Sequence, residues 1–171
     1  MNSSFRIFAR RLALIGCVLA VVATAWAADE RIDVSQIIDK AAAESVLGEP
    51  VKVPAPRNLD GGDGYYSKCN YYSATSNKAL VLRLYRAGPN FDAMKEMEAV
   101  KASTGTPKAV SGLGDKAQIY NGPESGLPAN VVMLYVVKRN SLVTVGLSGM
   151  EEETALDKTK RLAQKIVAQI H

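Results

Sequence analysis

The sequence predicts an α+β fold, a mainly antiparallel sheet in two meander groups with three helices packed largely on one face. Three observations carry that expectation. Apolar side chains alternate with polar ones over 64–73, 79–86, 130–138 and 141–148, the period of two that a strand imposes. These segments come in groups joined by short polar turns and do not alternate singly with helices, which favours antiparallel pairing. Finally, residues 151–170 carry one continuous apolar stripe at helical spacing, and such a stripe needs a sheet or another helix to cover it.

At the amino terminus, Arg6, Arg10 and Arg11 precede an uncharged run from Leu12 to Ala28 that includes Ala25-Trp26-Ala27. A positive end, an apolar segment and small residues at a cleavage position make residues 1–27 a signal peptide cut after Ala27. The single domain is then 28–171, and its setting periplasmic or secreted. Two rival readings attach to the same segment. An uncleaved anchor would use a run short of the ~20 residues that cross a bilayer. A lipidated Cys17 would use Leu14-Ile15-Gly16-Cys17, although the apolar run continues past that cysteine. The membrane enters only through this leader. Twin-arginine export at Arg10-Arg11 fits the flanking residues poorly.

Removing the leader changes the charge balance. All 17 acidic residues stay and three of 21 basic ones leave, so the remainder has a net charge of +1. A near-neutral domain of interspersed signs lacks the field that nucleic acid requires. Trp26 and two of the three phenylalanines leave as well, so seven tyrosines and Phe91 furnish the aromatic content and the core must be aliphatic.

Beyond the leader, Asp33 to Gly48 reads as the first helix, capped by Asp33 or Ser35 and stopped by Gly48 before Glu49-Pro50. Val51-Lys52-Val53 is a short strand, and Asn58 to Gly64 a glycine- and aspartate-rich loop. A strand over GYYSKCNYYS follows, turning at Thr75 to Lys78 into Ala79–Arg86. Pro89-Asn90 starts a second helix with Phe91, Ala93, Met94, Met97 and Val100 as its stripe, ending near Gly105. Pro107–Val110 is an edge strand, Gly112–Asp115 a turn, Ala117–Tyr120 a strand and Asn121–Pro128 a loop. Asn130–Lys138 and Ser141–Ser148 make a hairpin turning at Arg139-Asn140. The last helix opens on Glu151-Glu152-Glu153, where its dipole favours anions.

Alternation in the tyrosine strand places Tyr65, Ser67, Cys69, Tyr71 and Ser73 on one side and Tyr66, Lys68, Asn70 and Tyr72 on the other, wetter side. Once the leader is gone Cys69 has no second cysteine to pair with, and a free cysteine behaves as a small buried hydrophobe. A reactive or dimer-forming thiol is the competing reading. No metal site follows from one thiolate without a nearby histidine.

Catalytic equipment is sparse. The one histidine is His171, the last residue, so serine or cysteine chemistry with an imidazole base has no base. Asp60 with Asp63, and Glu151 to Glu153, are explained by turn and helix-start preferences. Gly112-Leu113-Gly114-Asp115 lacks the lysine and following helix of a phosphate loop. No cofactor is expected.

Ala43-Glu44-Ser45-Val46-Leu47-Gly48-Glu49-Pro50-Val51, Cys69-Asn70-Tyr71, Val110-Ser111-Gly112-Leu113-Gly114-Asp115-Lys116-Ala117 and the terminal amphipathic helix together resemble a broad group of small exported bacterial domains of unknown function. Many of that group are lipoproteins, and the extracellular sensor domain of a mycobacterial receptor kinase has a similar layout. The resemblance covers most of the chain beyond the leader and implies export and fold more than activity. Members often carry a cysteine near the first helix that pairs with the strand cysteine. Here that region reads Ile37-Ile38-Asp39, so the pairing does not carry over.

If helices cover the face bearing Leu80, Leu82, Leu84, Val143, Val145 and Leu147, the opposite face carries Tyr66, Tyr72, Arg83, Tyr85 and Tyr135, with Val131, Met133 and Val137 beside them. Tyrosine and arginine are favoured at recognition surfaces. The expectation is an exported, non-enzymatic binding or accessory domain that engages an envelope protein or a small ligand there. A covered face with tyrosines merely pairing across strands is the structural alternative. An envelope-anchored structural lipoprotein, or a hydrolase using carboxylates or a serine-lysine pair, is the functional one.

Overall fold

The computed structural model describes residues 31–171. The leader assigned to 1–27, with Cys17, lies outside the described residues. Two short helices, α1 (Val34–Ile37) and α2 (Lys40–Leu47), stand where one was expected. Two aspartates account for the division. Asp33 accepts from the Ser35 amide at 2.8 Å and caps α1, while Asp39 accepts from the Ala42 amide at 2.8 Å and caps α2. Between them Ile38 is extended, buries its side chain, and gives its carbonyl to the Tyr71 hydroxyl. An aspartate inside a helical pattern offers the backbone a competing partner, and the buried Tyr71 bond decides the competition. Gly48, at φ 75°, closes α2 as expected.

The next segments depart from expectation in opposite directions. Val51–Val53 contributes a single bridge, Val51 to Ser73, instead of a strand. Residues expected as a loop instead form β1 (Arg57–Gly61), which pairs antiparallel with β2 (Gly64–Tyr72). Every residue of β1 is exposed, so backbone hydrogen bonds order it and burial does not. The tight return needs glycine at Gly64, where φ is 148° and a Cβ would sit 2.2 Å from the Arg86 carbonyl.

β2 continues into β3 (Ala79–Ala87), α3 (Ala93–Thr104), β4 (Lys108–Ala109), β5 (Lys116–Asn121), a 3-10 turn at Pro123–Ser125, β6 (Val131–Lys138), β7 (Ser141–Ser148) and α4 (Glu152–Val167). The sheet has seven strands in the order β1-β2-β3-β7-β6-β5-β4, all antiparallel. Each expected meander is present, and the two fuse where β3 meets β7.

The face carrying Leu80, Leu82, Leu84, Val143, Val145 and Leu147 packs against α1, α2 and α4 and is the main core. The stripe of α4 is buried as expected, with Ala155, Thr159, Leu162, Ala163, Ile166 and Val167 all inward. The helices gather largely on this face, as expected, and α3 is the exception. Its Ala93 and Met97 are fully buried against Tyr85, Val137 and Leu142, which point to the other side of the sheet. The chain leaves β3 mid-sheet and must reach the β4 edge, and the first face is already filled by α4. The stripe of α3 is also narrower than expected, for Phe91 is 44% exposed. Asn140, in the β6–β7 turn, fixes where α3 begins. Its side-chain oxygen accepts from the Ala93 amide at 2.9 Å, and its nitrogen donates to the Phe91 carbonyl at 3.0 Å.

Candidate functional site

Because α3 covers only part of the second face, a groove of about 420 Å³ remains between the helix and the strands. The strand register assembles it. Arg57 stands opposite Lys68, Lys68 opposite Arg83, Arg83 opposite Thr144, Thr144 opposite Tyr135, and Tyr135 opposite Gln118. One polar row thus crosses six strands. Directly opposed residues project to the same side with Cβ atoms ~5 Å apart, so Arg83, Lys68 and Arg57 form a ladder of like charge. The neighbouring row places Tyr66 opposite Tyr85 and Tyr85 opposite Leu142. The Tyr66 and Tyr85 rings stack with centroids 4.7 Å apart.

Lys68, Arg83, Thr144 and Tyr135 line the groove from the polar row, and Tyr66 and Tyr85 from the aromatic one. Glu96 and Val100 of α3 complete the opposite wall. A smaller groove of about 240 Å³ adjoins it beneath the Val53 to Arg57 segment, lined by Arg57, Lys68, Asn70 and Tyr72 among others. Lys68 belongs to both, so the cation ladder joins them.

The engaged and unengaged donors separate cleanly. The Tyr66 hydroxyl donates to the Asp63 carboxylate and the Tyr85 hydroxyl to the Asp63 carbonyl at 2.9 Å, so both rings are fixed. Burial, then the bond to Asp63, pushes the Tyr66 phenol well above its ordinary range, and burial raises Tyr85 too. Tyr135 packs edge-on against Tyr120 at 5.5 Å; burial raises its phenol, and Arg83 partly offsets the rise. By contrast, Arg57, Lys68, Arg83, Thr144 and the Tyr135 hydroxyl make no side-chain hydrogen bond or ion pair among the described residues. Some cations elsewhere are paired, Arg31 with Asp60 at 2.9 Å, Lys78 with Glu49 at 3.5 Å and Arg161 with Asp157 at 2.8 Å; what marks the groove is that its unpaired cations stand directly opposite one another on adjacent strands.

Of the residues singled out from sequence, Tyr66, Arg83, Tyr85 and Tyr135 meet in the larger groove and Tyr72 lines the smaller one. The face is half covered: Tyr85 is buried at 8% exposure, and Tyr66 and Tyr72 stand at 37% and 51%. The tyrosines do pair across strands, and the groove opens beside those pairs. Val137 is buried under α3. Sequence reasoning missed Lys68 and Arg57 as site residues, along with Thr144 and Glu96. Alternation had put Lys68 on the right side, but only register reveals its neighbours.

Cys69 is buried at 1% exposure, and burial raises its thiol. The carboxylates weighed for acid–base work have structural partners: Asp60 with Arg31, Asp63 with Tyr66, and Glu151 accepting from the Glu153 and Thr154 amides at 2.9 Å each. No group of three or more metal-ligating side chains occurs among the described residues, and no described helix is long and apolar enough to cross a membrane. No family model, curated protein or solved structure matches the chain. The likeness to small exported domains therefore rests on the short motifs that suggested it.

Proposed function

We propose that the chain is an exported, non-enzymatic binding domain that holds a small ligand in the tyrosine-walled groove between α3 and the sheet. One observation carries this reading. Donors on Lys68, Arg83, Thr144 and Tyr135 line a single groove unengaged, beside the fixed Tyr66–Tyr85 pair. A volume of about 420 Å³ is ample for a small ligand, since such sites run from about 300 to 1,000 Å³. The Tyr66 and Tyr85 rings are already held by Asp63 and lose little freedom when a ligand arrives, while Lys68 and Arg83 are free to turn toward it. Among the described residues of that lining Glu96 is the one carboxylate and there is no imidazole. A poised acid–base pair is what hydrolysis would ask for, so binding is the simpler use. Export is inferred from the pattern of Arg6, Arg10, Arg11 and Ala25-Trp26-Ala27.

The binding claim is tested by amide chemical shifts of labelled protein against a panel of neutral, cationic and anionic fragments. Hits should cluster on Tyr66, Arg83, Tyr135 and α3. A panel that moves none of these amides would refute the groove. Intact mass of the exported protein tests the leader, with a chain starting at Ala28 expected and a longer or lipid-bearing one contradicting it.

A further inference from the structure

Resting on that reading of the groove, the geometry points to the class of ligand. We propose that it is an elongated organic anion with at least two charged groups, lying across the strands along Arg83, Lys68 and Arg57, its uncharged body against Tyr66 and Tyr85.

Three features lead there. The ladder is regular: the cations occupy directly opposed positions on β3, β2 and β1, so they are spaced by the strand separation of ~4.8 Å and span ~10 Å. It is also continuous as a surface, since Lys68 lines both grooves while Arg83 belongs to the larger and Arg57 to the smaller. An anion bound at Arg83 can thus extend past Lys68 to Arg57 without leaving the sheet. Lastly it is unmatched. Like charges directly opposed destabilise a sheet, and these three cations face one another across adjacent strands with no carboxylate partner among the described residues. Glu96 is the carboxylate in the lining; it makes no ion pair with either cation there, and its charge is felt by Tyr66 and Tyr85. Thr144 and Tyr135 extend the donor row beyond Arg83, which suits oxygens of a phosphate or a carboxylate equally.

The test is calorimetric titration at low and moderate salt with tripolyphosphate, tricarballylate, orthophosphate, adenosine and ATP. Tripolyphosphate, tricarballylate or both should bind at least about tenfold tighter than orthophosphate, with affinity falling as salt rises, and the stronger of the two identifies phosphate or carboxylate as the preferred group. ATP should exceed both tripolyphosphate and adenosine, because it alone supplies charge and a planar body. Arg83→Gln and Lys68→Gln should each weaken the preferred polyanion about tenfold or more, Arg57→Gln less, and Glu96→Gln should tighten it. Urea midpoints no lower than the parent's establish that the variants are folded. The proposal is overturned if orthophosphate equals the longer anions, if adenosine equals ATP, if the charge variants bind undiminished, or if no anion binds. Neutral fragments still shifting the groove amides would then leave the binding site standing and only its anionic ligand refuted. Silence from every fragment would remove the site itself.

Discussion

Lys68 faces a cation on each side, Arg57 across β1 and Arg83 across β3, so replacing it with glutamine should stabilise the fold. Two unit charges about 7 Å apart in water repel by about 0.6 kcal/mol. Removing Lys68 relieves two such pairs, about 1.2 kcal/mol at low salt. At physiological ionic strength, where the Debye length is about 8 Å, screening leaves about 0.5 kcal/mol. Glutamine keeps much of the aliphatic stem, so packing changes little. Urea denaturation of parent and Lys68→Gln at about 10 mM and about 150 mM salt gives both numbers, and the slopes should agree because the fold is unchanged. A gain that shrinks as salt is added is the expected result. Loss of about 1 kcal/mol, or a gain indifferent to salt, would show that Lys68 is held in a favourable local network and that the ladder carries no electrostatic strain.

Asn140→Ala removes bonds to the Ala93 amide and the Phe91 carbonyl. It should cost about 1–3 kcal/mol and speed amide exchange in α3 while α4 stays protected; equal effects on both helices would contradict the role of Asn140 in seating α3. The Cys69 thiol should resist aromatic disulfide reagents in the native protein and react on unfolding, whereas rapid native reaction would place it at the surface. At Asp33, burial favours the neutral form, but the Ser35 hydroxyl and amide and Asn58 outweigh it and hold the carboxyl below its usual range. A depressed folded value makes its contribution complete above the unfolded pKa of about 3.9 and lost as pH falls through the folded one. The stability gap between parent and Asp33→Asn should therefore be level near neutrality and close below about pH 4; a gap unchanged into strong acid would refute this.

What the sequence revealed depended on whether side chains had to be buried. α4 and the β6–β7 hairpin were legible because their apolar residues recur at one period without interruption. β1 was not, since all five of its residues are exposed and its composition is that of a turn. The break at Ile38-Asp39 was hidden for another reason. The caps Asp33 and Asp39 are local, but what decides between one helix and two is a hydrogen bond from Tyr71, 33 positions away, which no local pattern encodes. α3 offered a stripe of which only Ala93 and Met97 are fully buried, too little to say which side of the sheet it would take. The site divides the same way. Parity along a strand gave the face of Tyr66, Arg83, Tyr85 and Tyr135, but the cation ladder exists only across strands. It depends on Arg57 meeting Lys68 and Lys68 meeting Arg83, and a shift of one residue in either pairing would abolish it.

A crystal of the protein soaked with the tightest-binding polyanion of the series examines that ladder most directly. Continuous density from Arg83 over Lys68 toward Arg57, with the tyrosine pair against the ligand's body, is the outcome expected. Density elsewhere on the surface, or empty grooves at a saturating concentration, would contradict it.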